Sequence, residues 1–399
     1  MKILFAWIAP MLNSAGGAER VVANFANNMF HRGHEVNIMY CTEREGHLVF
    51  PLENGVNTFN LVDFTKERKF ESKKPSLAFK LHRELLRPFS KRRVKNLNTK
   101  FAVHELNSAV NALLDKIKPE LLITVDYRTT AVFIKEARAR NLPVIAMCHA
   151  NAENVLHHMS EVEFCAWNSC NAVQVLMSRD KNIFEQAGIA APIIRIPNAV
   201  PQYELPPNQT KEPLVVDVAR IEKNAKRQHL LIEAFVSVAS EFPDWQLELW
   251  GEEYGGAIYT EELNGIIHKY RLEERVKLCG NTDNVLSVYR RASIFAFPSA
   301  FEGFPLAMTE AMSAGLPVVA YKSCPAVNEL VKDGKTGLLV DDGAEALAEG
   351  LRKLMKDQEL REEMGRAAHE EMHTYAPEKI WDQWEALMKK VIAEHGAKK

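Results

Sequence analysis

The sequence predicts an α/β protein built on two doubly wound parallel sheets, and three observations predict it. Short β-branched or apolar runs alternate with segments of helical apolar spacing, the pattern of parallel strands joined by crossover helices. The alternation runs through twice, before and after a proline-rich break. The chain has 399 residues, and a single core rarely grows past about 250–300, so two domains are expected.

Taken in order, the first half offers strands at 3–9, 35–40, 121–125, 144–148, 172–176 and 193–196. The first of these follows Lys2 and precedes small residues, as a leader peptide would. Pro10 interrupts the apolar run and one basic residue precedes it, so it reads as a buried first strand. The break spans 197–213 and holds Pro197, Pro201, Pro206, Pro207 and Pro213. Proline removes donors and restricts its predecessor, which marks an irregular linker. The expected domains are residues 1–198 and 214–377, with 199–213 between them. Strands of the second half fall at 214–219, 246–251, 276–280, 294–298, 317–321 and 337–340. A last helix at 378–394 carries Trp381, Trp384, Leu387, Met388 and Val391 on one side. It packs either on its own domain or back on the first.

Composition narrows the function. Apolar residues make up 47% and charged residues 26% of the chain, and the formal net charge is −2, too small for nucleic acid as main partner. Cys41, Cys148, Cys165, Cys170, Cys279 and Cys324 form no CxxC pair and no zinc-spaced cluster. They read as buried small hydrophobes in a reducing cytosol. No run of about 18 apolar residues exists to cross a membrane.

The strongest chemical signal is Ser299-Ala-Phe-Glu302-Gly303-Phe304-Pro305-Leu306, continuing through Glu310 to Gly315 and Pro317. Pro305 suits a first helical turn, and Gly315 with Pro317 ends the helix. Glu302 then stands above the helix N-terminus, and Glu310 lies inside it, roughly 7–8 Å beyond Pro305. Free N–H groups and the helix dipole attract phosphate there. The two carboxylates would accept hydrogen bonds from sugar hydroxyls on either side. A second signal is Arg220 with Lys226 and Arg227, cations after a strand that could neutralise a diphosphate leaving group. A third is the Gly16-Gly17 turn after the first strand, where backbone N–H groups can approach a ligand. It is not GxGxxG, which argues against a dehydrogenase. His149 follows a strand in the first half, with His157 and His158 as competitors.

The stretch "FEGFPLAMTEAMSAGLPVV" resembles the signature of glycosyltransferase family 4, retaining enzymes of the GT-B fold with two Rossmann-like domains facing a cleft. The resemblance implies Glu302 near the donor sugar, Glu310 on the donor ribose, and Gly303, Phe304, Pro305 and Leu306 at the phosphates. Arg220 and Lys226 match the family's Gly-Arg…Lys pattern, although Ala219 replaces the glycine and Lys226 comes one residue late, leaving Arg227 as a rival. Gly16 and Gly17 in "GGAER" match its first loop, and His149 its histidine near the transferred sugar. "IPNAV", "LWGEE" and "LCGN", the last ending on Asn281, fall at further matching loops. "SCPAVNELVKDGKTGLLV" also matches, with Cys324, Pro325 and Ala326 in place of glycines.

What the resemblance implies is transfer of a sugar from a nucleotide diphosphate-sugar, uridine favoured, to a glycan acceptor in cell-surface polysaccharide or glycoconjugate synthesis. It implies front-face attack with retention, no cofactor and no required metal; no DxD pair stands at a strand end. Glu302 as covalent nucleophile is the mechanistic alternative. The functional alternatives are a nucleotide-sugar epimerase or hydrolase, and a non-catalytic nucleotide-sugar binder.

One segment stands apart. Residues 66–100, from Lys66 to Lys100, hold 13 Lys/Arg against 3 Glu. Leu77, Phe79, Leu81, Leu85, Leu86 and Phe89 are interleaved with these cations. A basic amphipathic helix reads as an anionic-membrane element, and would suit a lipid-linked glycan acceptor on the inner face of the cell membrane. The alternative is a solvated helix packed on the first domain.

Overall fold

The computed structural model describes the chain except 15, 67, 71–75, 88–89, 207–209, 254–255 and 398–399, and gives no side-chain account of 78, 82, 86, 91 and 92. Phe89 and Pro207 therefore lie outside the described residues. The chain forms two compact units, Met1–Pro197 with Ile380–Lys399, and Asn198–Lys379.

The first unit holds β1 (Lys2–Ala6), α1 (Gly17–His31), β2 (Glu35–Tyr40), β3 (Asn57–Asn60), α2 (Leu77–Leu86), α3 (Lys91–Ile117), β4 (Leu121–Thr124), α4 (Tyr127–Ala139), β5 (Val144–Cys148), α5 (Ala152–His158), α6 (Glu161–Asn168), β6 (Ala172–Val175), α7 (Ser178–Gln186) and β7 (Ile193–Arg195). Its sheet runs β3-β2-β1-β4-β5-β6-β7 with every pairing parallel. Strands β4, β5 and β6 are buried along their whole length, as expected where helices cover both faces. The first strand stops at Ala6, short of the expected residue 9, and it lies inside the sheet between β2 and β4.

The second unit holds β8 (Leu214–Val218), α8 (Gln228–Val238), β9 (Gln246–Trp250), α9 (Ile258–Lys269), β10 (Val276–Gly280), α10 (Val285–Arg291), β11 (Ile294–Phe297), α11 (Leu306–Ser313), β12 (Val318–Tyr321), α12 (Val327–Leu330), β13 (Gly337–Val340), α13 (Ala344–Lys356) and α14 (Gln358–Met372). The last helix, α15, spans Pro377–Gly396. The sheet order is β10-β9-β8-β11-β12-β13, again parallel throughout. Strand order reverses at β8/β11 here and at β1/β4 in the first unit. In such sheets ligands bind at the carboxyl ends of the two strands flanking the reversal.

The proline-rich stretch after Pro197 has no regular structure, and its described part is fastened to the second unit. Val200 N–H donates to Tyr375 O (2.9 Å), Ser313 Oγ to Pro201 O (2.5 Å), and Gln202 Nε2 to Met372 O (3.2 Å). Residues 380–396 of α15 pack within the first unit. Trp381 and Trp384 meet the Phe25 ring edge-on, at 5.8 and 5.0 Å. Arg32 pairs with Asp382 and Glu385.

The basic segment is two helices, α2 and α3, where the sequence suggested one. Ser76 caps α2 by accepting from Phe79 N–H (3.2 Å), and the Phe79 ring lies 5.1 Å from Phe101 of α3. Among the described residues no helix is long and apolar enough to cross a membrane.

Candidate active site

In the second unit the loops after β8 and β11, the two strands at the reversal, are tied together. Ala300 N–H donates to Ala225 O (2.8 Å). Lys226 Nζ lies 2.5 Å from Glu302 Oε1, with both side chains mostly buried, and 5.4 Å from the Phe297 ring centroid. The β8 loop is shaped internally: Glu222 accepts from Asn224 N–H (2.9 Å) and Ala225 N–H (2.5 Å). Burial opposes ionisation of Glu222, yet these N–H groups hold its carboxyl below the usual range. The adjacent cations Lys226 and Arg227 have different partners. Arg227 donates to Pro298 O (3.0 Å), pairs with Asp342 (3.2 Å) and stacks on Tyr321 (4.8 Å). Arg227 is thus a structural brace, and Lys226 faces Glu302. Arg220 is exposed; its carbonyl accepts from Gln228 Nε2 (3.1 Å).

Ala219 stands where the resemblance expects glycine, and its carbonyl lies against Gly251. Gly251 has φ +134°, and a Cβ there would sit 2.0 Å from Ala219 O. The ends of β8 and β9 therefore meet backbone to backbone.

Helix α11 begins at Leu306, with Pro305 as its N-cap at φ −77°, ψ 82°, one position earlier than the first-turn placement expected. The first helical N–H groups, from Leu306 on, have no carbonyl one turn before them within the helix. Phe304 turns inward, its ring 6.0 Å from Tyr375, so only its backbone is left for a ligand. Glu310 is buried in α11 and Gly303 half-buried in the preceding loop. Asn281 is exposed just beyond β10.

Sequence reading missed two buried polar groups here. Ser299 Oγ and Asp217 Oδ1 are shielded from solvent without a hydrogen-bond partner among the described residues. Burial pushes the Asp217 carboxyl up to about 7, against the pull of Lys226. An acid in the middle of "LVVDVA" was the available signal.

Gly16, Gly17 and His149 belong to the first unit. Gly16 is the N-cap of α1 and Gly17 its first residue. A Cβ on Gly16 would approach Glu19 Oε2 to 2.3 Å, and Glu19 Oε1 accepts from Ser14 Oγ at 2.5 Å. His149 follows β5, on a loop anchored where Ala152 N–H donates to Asp180 Oδ1 (2.9 Å). The residue is half-buried, but its Nε2 is shielded and unpartnered among the described residues. Burial pushes its pKa down to about 4, which keeps the imidazole neutral. His157 and His158 are exposed on α5. Among the described residues no group of three or more His, Cys, Asp or Glu could hold a metal ion.

The two parallel-sheet units have the architecture of the GT-B fold. The model "Glycosyltransferase Family 4" matches residues 15–202 and "Glycosyl transferases group 1" matches 204–371; the chain belongs to the family 4 glycosyltransferases. It is similar to an exopolysaccharide phosphotransferase of Streptomyces coelicolor, 32% identical over 56% of this chain and 24% of that protein. The match thus spans about a quarter of that relative's length. It is also similar to an uncharacterised glycosyltransferase of Haemophilus influenzae, 23% identical over 94% of this chain and 97% of that one. Among solved structures it resembles a variant of S. aureus TarM in complex with fondaparinux, alpha-GlcNAc-glycerol and UDP. The TM-score is 0.74 at 18% identity, covering 97% of this chain and 99% of the other.

Proposed function

We propose that the chain transfers a sugar from a uridine diphosphate-sugar to a glycan acceptor with retention of anomeric configuration. The observation that carries this is the Lys226–Glu302 pair beside the N-terminus of α11. A diphosphate at the free N–H groups would draw Lys226 and Arg220, which stabilise charge growing on the leaving group. Glu302 then accepts from hydroxyls of the transferred sugar and Glu310 from the ribose. The acceptor oxygen bonds to the anomeric carbon on the face the phosphate leaves, and its proton passes to the departing phosphate oxygen. In the first unit, a neutral His149 can donate a hydrogen bond to a sugar hydroxyl, and Gly16 and Gly17 can offer backbone N–H groups to the acceptor. The UDP bound by the TarM variant supports uridine as the base. The test is proton NMR of the glycoside formed from an α-linked UDP-sugar: an α-product is expected, and a β-product overturns retention. Rapid UDP release or isomerisation without acceptor would favour a hydrolase or epimerase.

We also propose that the acceptor is lipid-linked and reached at an anionic membrane surface. Leu77, Leu81 and Leu85 recur every four residues along α2 and are 74%, 57% and 69% exposed, one stripe of the helix. Lys80 and Arg83 lie between them and Arg87 follows, in a segment with a large excess of positive charge. Apolar insertion plus cation attraction is the physics of an interfacial helix. The protein should sediment with phosphatidylglycerol vesicles at low salt and stay in solution with phosphatidylcholine alone. Exchanging all three leucines for serine should lower binding at least about tenfold, since each buried leucine contributes about 1.5–3 kcal/mol when fully covered. Unchanged sedimentation of that variant would exclude the stripe.

A further inference from the structure

We infer that Asp217 takes up a proton when a nucleoside diphosphate binds beside Lys226, so that donor binding weakens as pH rises above neutrality. The inference rests on the donor-site reading above and concerns a residue which that reading does not use. Asp217 stands near the carboxyl end of β8, one of the two strands at the reversal, and is 1% exposed. Its Oδ1 is buried without a hydrogen-bond partner among the described residues, and its carboxyl is otherwise met by Gln228 Nε2, at a long 3.4 Å from Oδ2, and by the backbone N–H of Val218. The ionisable groups facing it are Lys226 from the β8 loop, Glu302 from the β11 loop and Tyr259 from α9. Lys226 is the cation of this set, and Glu302 already holds it at 2.5 Å. One cation therefore serves two carboxylates.

A diphosphate adds at least two negative charges to that cluster. Like charge nearby favours the neutral carboxylic acid, and so does burial. Asp217 is the more deeply buried carboxyl of the pair, Glu302 keeping 12% of its side chain exposed. With burial already pushing Asp217 to about 7, the added field draws one proton from solvent onto its unpartnered oxygen. The proton neutralises a charge that would otherwise repel the ligand.

The experiment is titration calorimetry of the full chain with UDP, GDP and ADP in turn, at pH 8, in buffers of different ionisation enthalpy. At that pH the terminal phosphate, with its second pKa near about 6, is already ionised. For the nucleotide that binds, uptake of about half a proton or more is expected, with Kd rising about three- to tenfold per pH unit between about 7 and 9. In Asp217→Asn the uptake should vanish and Kd should become flat with pH. A second readout needs no variant: infrared difference spectra should gain the carbonyl stretch of a protonated carboxyl on binding. Binding without uptake, uptake retained in Asp217→Asn, or no carboxyl band overturns the inference. If none of the three nucleotides binds, the donor-site reading falls and the inference with it.

Discussion

Lys226→Ala should lower kcat/KM for sugar transfer by about 10²–10³-fold, the loss seen when one preorganised partner of a developing charge is removed. Two terms act in the same direction. The departing diphosphate loses the cation set 2.5 Å from Glu302. Glu302, mostly buried, is left as an unpaired carboxylate, and truncating one member of a buried pair is costlier than the pair is valuable. Charge on the leaving group is larger in the transition state than in the bound donor, so kcat should fall more than KM rises. Arg227→Ala is the control. Its guanidinium is spent on Pro298, Asp342 and Tyr321, so its loss should lower the melting temperature while kcat stays within a few-fold. Steady-state kinetics with melting curves of both variants decide. A folded Lys226→Ala enzyme within threefold of the parent would remove Lys226 from the chemistry.

The parts of this molecule that were legible beforehand are those where the chain obeys one rule at a time. Strands such as β4, β5, β11 and β12 are buried on both faces, so they appear as unbroken apolar runs between turn signals. The edge strand β3, Asn57–Asn60, went unnoticed because "NTFN" carries no such run; it is held by pairing with β2, which is information from elsewhere in the chain. The glutamates were legible because helix punctuation by Pro305 and Gly315 brackets them. Which cation meets Glu302 was not. Lys226 and Arg227 are adjacent, and Arg227 adopts φ +54° at the start of α8, sending the two side chains to different partners. Asp217 is a similar case: an acid inside an apolar run hints at a buried carboxyl, but its neighbours appear only when the sheet order puts β8 beside β11. The close approach of Gly251 to the Ala219 carbonyl is likewise a contact between two strand ends, which no local pattern encodes.

Trp384→Ala should destabilise the first unit by about 3–5 kcal/mol, the cost of deleting a large buried aromatic and leaving its cavity. Trp384 is 2% exposed and meets Phe25 edge-on at 5.0 Å; Phe25 in turn lies 4.9 Å from Phe5 of β1. The indole therefore completes a stack that reaches an inner strand of the sheet, and edge-on ring pairs add about 0.5–1.5 kcal/mol each beyond the area they bury. The polar contacts of the same helix should matter far less. Arg32 pairs with Asp382, 70% exposed, and with Glu385, and exposed pairs contribute about 0–1 kcal/mol. Arg32→Ala should therefore change little. Scanning calorimetry of the whole chain tests the contrast: for a unit of this size the shift is about 2–4 °C per kcal/mol, so Trp384→Ala should lower one transition by roughly 6–20 °C. If residues 380–396 were only tethered to the first unit, the helix would fray in the variant and that transition would stay where it was. A drop confined to one transition identifies the C-terminal helix as part of the first unit's core, although the chain has by then passed through the whole of the second.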